Sequence, residues 1–151
     1  MQQGLYFEEF TPGRTFYTER KTITETDVVN FVSHYCYSEP LFMDWEYVEK
    51  ETPFKRPIAP ALLTVSMADG LSILSGLIHR TGMAFLGMEL DVKAPVFIGD
   101  TISVEIDVLN RRETKKDDRG IVTFCHRVVN QKKEIVIEYR VTRMIRRRGR
   151  E

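Results

Sequence analysis

An α+β fold, one antiparallel sheet wrapped around a single long helix, is what three features of the sequence predict. From Pro60 to about Ile78 the chain is apolar nearly all round and rich in Ala, Ser and Gly. Beyond Thr81 the apolar residues switch to a two-residue alternation. Turn-forming clusters at Gly99-Asp100, Lys116–Gly120 and Asn130–Lys133 cut that alternation into separate strands. With 151 residues, and about 150 residues per domain, the chain reads as one domain, residues 1–151, around one hydrophobic core.

The elements follow in order. An early strand is expected around Phe16 to Ile23. Thr24 and Asp27 then stand at capping-box spacing, with Asp for the usual Glu, ahead of Val28, Phe31, Val32 and Tyr35 at helical intervals. This predicts a short amphipathic helix. The segment Cys36–Phe42 reads as a loop, and Asp44 is placed to cap a second short helix. That helix must end before Pro53, because the residue preceding proline avoids helical geometry. Residues 53–60 hold three prolines and read as an ordered loop. Pro60 suits the first turn of the long helix, where its missing N–H has no intrahelical partner in any case.

So apolar a helix must be covered on most sides, and its small residues let other backbone approach closely. The strand pattern supplies the cover: Met83–Val96 first, then Ile102, Val104, Ile106 and Val108 alternating. Two further hairpin-linked runs follow, the last carrying Ile135, Ile137, Tyr139 and Val141. Alternation of this kind belongs to a meander buried on one face only. Sheet around helix is the hotdog arrangement. It leaves one side and the helix ends in need of cover that a second copy would supply, so a homodimer or larger assembly is expected.

Charge and composition narrow the function classes. Lys plus Arg equals Asp plus Glu at 22 each, with 42% hydrophobic residues, an ordinary globular composition. Five Arg and one Glu lie in the last nine residues, leaving 17 basic against 21 acidic in the body. A near-neutral body with one short basic tail lacks the basic stripe of a nucleic-acid groove. Cys36 and Cys125 make no disulfide framework and no metal-ligand spacing, so no metal is expected and both read as free, half-buried thiols of a reduced, cytoplasmic protein. The first ten residues have neither a basic flank nor a sustained apolar run, and no signal peptide is expected. Polar residues interrupt the stretch from Ala61 to Ile78, so no membrane span is expected either.

At this point the residues resemble a known family, the MaoC-like hotdog proteins, which include (R)-specific enoyl-CoA hydratases. The likeness runs through GLYFEEFTPG, ITETDVVNF, PLFMDWEY, TPFKRPIAPALLTVSMADGL, APVFIGDTISVE and VVNQKKEIVIEYRV, in the family's order and spacing. The resemblance implies a pattern Gly-Asp-x-Asn-Pro-Leu-His, whose Asp and His activate the water that adds across an enoyl double bond. It also implies Ile-Ala-His-Gly at the start of the long helix, where the Gly N–H polarises the thioester carbonyl. The chemistry requires both, because water must lose a proton at the β-carbon while the α-carbon gains one, and the developing enolate oxygen needs a donor.

Laid on the first pattern, Cys36-Tyr37-Ser38-Glu39-Pro40-Leu41-Phe42 puts Tyr37 at the acidic position and Phe42 at the histidine position. A phenyl ring transfers no proton, and a phenol of pKa about 10 is a poor base near neutrality. No intact catalytic dyad remains. Glu39 is the nearest substitute carboxylate, with His34 and Cys36 the other titratable groups nearby; a solvated loop residue is the favoured reading of Glu39. At the second pattern Ile58-Ala59-Pro60-Ala61 stands in place of Ile-Ala-His-Gly, so Pro60 and Ala61 are the expected oxyanion and substrate-binding positions, with the backbone N–H of Ala61 as donor. Cys36, Tyr37 and Phe42 are the expected pocket lining, and Tyr35, Trp45 and Tyr47 complete an aromatic cluster there.

His79-Arg80, Arg111-Arg112 with Lys115-Lys116, and Arg146–Arg148 are candidate ligands for coenzyme A phosphates, each weighed against a solvated turn or chain end. His126 reads as a satisfied core or interface histidine, and Asp69 as a structural residue. The resemblance implies acyl-CoA or another acyl thioester as partner, with coenzyme A entering as part of the substrate and no further cofactor. Three functions stay open: an enoyl-CoA hydratase or dehydratase using rearranged groups, a non-catalytic subunit that binds the thioester or completes a catalytic hotdog partner in a heteromer, and a thioesterase.

Overall fold

The structure, a computed structural model, describes residues 2–149; Arg150 and Glu151 of the basic tail and Met1 lie outside the described residues. The capping box forms as its spacing predicts. Asp27 donates its N–H to Thr24 Oγ1 at 3.2 Å while the Thr24 N–H reaches Asp27 Oδ2 at 2.9 Å, and helix α1 runs Glu25–Tyr35. Cys36, at φ 61°, ends it in the left-handed region. The expected loop contains a further turn of helix, α2 (Pro40–Met43), opened by Pro40. Asp44 caps α3 (Trp45–Glu51), accepting the Tyr47 N–H at 2.9 Å.

The long helix α4 spans Ala61–Leu74, with Pro60 as its N-cap. It stops short of Ile78 because Gly76 turns the chain into the left-handed region at φ 78°. The following turn is held by the N-terminal segment, where the Gly4 and Leu5 N–H groups bond to the carbonyls of His79 and Leu77. Leu63, Thr64, Val65, Ala68, Leu71 and Ser72 of α4 are buried. Cover is incomplete within one protomer: Leu62, Ile73 and Leu74 remain about half exposed or more.

Among the described residues six strands form one antiparallel sheet: β1 (Thr15–Tyr17), β2 (Lys21–Thr22), β3 (Gly82–Val92), β4 (Thr101–Glu113), β5 (Arg119–Val129) and β6 (Ile135–Arg146). The single early strand is in fact two short ones, both on β4, with Phe16 opposite Ile106 and Lys21 opposite Ile102. The meander is confined to β4, β5 and β6. The sheet order is β1-β4-β5-β6-β3, so β3 pairs with β6 at the far edge and the chain crosses the sheet end between Lys93 and Asp100. Strand β3 ends at Val92 rather than Val96; Pro95 has no N–H for a ladder.

Alternate residues Ile102, Val104, Ile106 and Val108 of β4, and Val122, Phe124, His126 and Val128 of β5, are buried in the core beneath α4. Phe10 closes the core edge-on against Phe124, ring centroids 5.3 Å apart. The outer face is polar. There Arg127 bridges Glu105 and Asp107, and the hydrogen bond from Arg127, with one from Thr15, holds the Asp107 carboxyl below its ordinary range. The half-buried reading of the thiols resolves into one exposed, Cys36, and one buried, Cys125. No described helix is long and apolar enough to cross a membrane.

Candidate functional site

The crossover from β3 to β4 is laid against the start of α4. Ala59 donates its N–H to Val96 O at 2.8 Å, Ile98 donates to Pro57 O at 3.1 Å, and Ile58 bridges Phe97. Two extended segments thereby flank the helix N-terminus and enclose an open cavity of about 400 Å³, lined by apolar residues of both segments, by Ala61 and by Phe42. Among the described residues Lys93 is the one ionisable residue on its wall. Pro60, at φ −53° and ψ 135°, enters α4 in extended geometry, and the Ala61 N–H has no acceptor among the described residues. An unpaired N–H at a helix N-terminus, reinforced by the helix dipole, is a donor for an anion or a polarised carbonyl.

The segment Cys36–Phe42 approaches this cavity from α1. The Tyr37 N–H bonds to Val32 O at 3.0 Å, and the Tyr37 ring packs edge-on against Phe31 with centroids 4.9 Å apart, 6.1 Å from Phe42. Tyr37 is therefore held in an aromatic stack against the core. Glu39 is exposed and serves as N-cap of α2. Phe42 lines the cavity and also a second groove of about 490 Å³ beneath α1, walled by Val28, Val29, Val32, Met43, Trp45 and Ile98. Of the expected lining residues, Phe42 reaches the cavity at Ala61, whereas Cys36, exposed, and Tyr37 lie on the wall of neither.

None of the other titratable residues singled out in the sequence lines this cavity. His126 Nδ1 and the Tyr139 hydroxyl are hydrogen-bonded at 2.8 Å in the core. Burial, then the charge of Arg143, lowers the His126 pKa to about 3, and burial pushes the Tyr139 hydroxyl up. Asp69 is paired with Arg143 between helix and sheet. His34 is exposed at the end of α1. In the basic tail Arg147 pairs with Glu8 at 3.0 Å and Glu113 at 3.1 Å, and Arg148 pairs with Glu9 at 2.9 Å. Arg111 donates to the carbonyls of Phe7 and Glu8. These arginines fasten the N-terminal segment to the sheet. Among the described residues no group of three His, Cys, Asp or Glu is arranged to hold a metal.

Sequence reasoning missed the wall that the crossover contributes, Val92 to Val96 with Lys93. The available signal was Pro95 within an otherwise alternating run, which marks a strand end rather than a strand interior.

The family model described as "MaoC like domain" matches residues 8–130. The chain is 36% identical over 120 residues to Protein MaoC of Klebsiella aerogenes, covering 76% of this chain and 33% of that protein, so it spans a third of that relative's length. It is 29% identical over 144 residues to the (R)-specific enoyl-CoA hydratase of Rhodospirillum rubrum, covering 95% of this chain and 94% of the enzyme. Among solved structures, one described as a monoamine oxidase regulatory protein from Archaeoglobus aligns with a TM-score of 0.90 at 31% identity, covering 98% of each chain. A Mycobacterium tuberculosis protein described as having a double hotdog fold aligns at 0.80 and 18% identity, covering 98% of this chain and 46% of that one, which supports the hotdog fold alone.

Proposed function

The chain belongs to the MaoC-like domain family, and from that premise we propose that it binds an acyl thioester of coenzyme A in the cavity at the start of α4 without hydrating it unaided. One observation carries the reading: the cavity offers the Ala61 N–H, which has no acceptor among the described residues, to a thioester carbonyl, yet Lys93 is the one ionisable side chain among the described residues on its wall. Hydration of an enoyl thioester moves a proton off water and another onto the α-carbon, and each transfer needs a group within hydrogen-bond reach. The dyad positions hold Tyr37, locked in an aromatic stack, and Phe42. The carbonyl-polarising half of the family's machinery is thus kept while the proton-moving half is replaced by rings. Coenzyme A enters as part of the ligand, with no separate cofactor.

A second subunit completes this account. Among the described residues strand β3 pairs on one side only, and Met83, Phe85, Leu86 and Val92 along it are 37%, 52%, 46% and 55% exposed. A long apolar edge strand is a template for another chain. Val92 belongs both to this edge and to the cavity wall, so a subunit added here lies beside the bound thioester. That subunit is a second copy in a homodimer, or a catalytic hotdog protein that brings the Asp and His this chain lacks.

The test is calorimetric titration with butyryl-CoA of the wild type and of Ala61→Pro. Proline is tolerated at the first helical position, and Pro60 already has the extended ψ that a residue before proline needs. The variant therefore keeps α4 and loses the N–H. Binding is expected to weaken about 3- to 10-fold, the worth of one hydrogen bond at about 1 kcal/mol. Unchanged affinity removes Ala61 from the site.

A further inference from the structure

Among the described residues Phe42 is the one common to the walls of the 400 Å³ cavity at Ala61 and the 490 Å³ groove beneath α1. Its ring stands between two largely apolar spaces. On the far side Val28, Val29, Val32, Met43 and Ile98 present aliphatic surface, and the carboxylate-bearing residues of that groove are Glu25, on the first turn of α1, and Asp44, whose Oδ1 already accepts the Tyr47 N–H. On the near side every wall residue except Lys93 is uncharged. The Tyr37 ring lies against it, centroids 6.1 Å apart, and itself packs edge-on against Phe31. A chain entering beside Ala61 therefore meets a phenyl ring before it reaches the second space.

Resting on the thioester reading, we propose that Phe42 is a specificity-determining wall: it limits the ligand to short acyl chains and closes off the groove beneath α1 as an unused extension of the acyl site. Buried methylenes favour binding by about 0.8 kcal/mol each, about fourfold in affinity. Affinity accordingly climbs with chain length while the cavity fills and stops climbing where the ring blocks the way. Removing the ring joins the two spaces and resumes the climb.

The experiment is calorimetric titration of the full chain with saturated butyryl-, hexanoyl- and decanoyl-CoA, which no hydratase step consumes. The variants are Phe42→Ala, Phe42→Leu and the double variant Phe42→Ala/Val29→Phe. Val29 is 53% exposed on α1, so a larger side chain there obstructs the groove without entering the core. In the wild type decanoyl-CoA is expected to bind no tighter than hexanoyl-CoA. In Phe42→Ala decanoyl-CoA gains tenfold or more relative to butyryl-CoA. Phe42→Leu, which keeps an aliphatic side chain against Tyr37, shows a smaller gain, and Val29→Phe added to Phe42→Ala abolishes it. A chain-length profile identical in wild type and both single variants overturns the wall, as does a wild-type affinity that climbs steadily through decanoyl-CoA; butyryl-CoA binding in either case leaves the thioester reading standing. Failure of every thioester to bind the wild type and the variants overturns both.

Discussion

The buried His126 predicts a loss of stability in mild acid that a single substitution removes. Its imidazole is 1% exposed, is hydrogen-bonded to the Tyr139 hydroxyl at 2.8 Å, and has its pKa lowered to about 3 by burial and then by Arg143. In the unfolded chain a histidine titrates near 6.5. Between these values the unfolded state binds a proton that the folded state refuses, so the stabilisation is fully present above pH 6.5 and is lost as the pH falls towards 3. At about 1.4 kcal/mol per unit, the loss at pH 5 is about 2 kcal/mol. The perturbation is His126→Gln, which keeps a polar partner for Tyr139 and does not titrate. The assay is urea unfolding of both proteins at pH 7 and pH 5. Carboxylates such as Asp107, whose depressed pKa acts at lower pH, are common to both and cancel. The wild type is expected to lose about 2 kcal/mol more than the variant between the two pH values; equal losses refute a neutral, proton-refusing imidazole.

Two further substitutions test the helices. Asp69→Ala leaves the Arg143 guanidinium, with its side chain 9% exposed, unpaired between α4 and the sheet and is expected to cost about 3 kcal/mol in urea unfolding, whereas replacing both partners by Leu and Met costs far less. Thr24→Ala removes the acceptor for the Asp27 N–H and is expected to lower stability by about 1 kcal/mol, measured the same way.

Local signals carried most of the fold. The Thr24–Asp27 box, the Asp44 cap and the strand alternation each depend on a few neighbouring residues, and each formed where its spacing placed it. The departures are non-local. That β3 lies beside β6 rather than β4 depends on where the crossover docks, which pairs Ala59 with Val96 across 37 positions and leaves no periodic trace. The early strand broke in two around Thr18, whose hydroxyl takes the Val104 N–H at 2.9 Å in place of a backbone carbonyl. At the site, the replacement of proton-transferring residues by Tyr37 and Phe42 was legible residue by residue. Their inequality was not: Phe42 reaches the cavity, while Tyr37 turns to Phe31, and that choice is made by packing against α1.

The central claim, a thioester site without its own proton-transfer groups, is tested most directly by following the enoyl absorbance of crotonyl-CoA with the purified protein alone, beside its Glu39→Gln variant. The account predicts no turnover by either protein under conditions where butyryl-CoA binds. Hydration by the wild type that vanishes in Glu39→Gln contradicts it and makes the exposed Glu39 a relocated base.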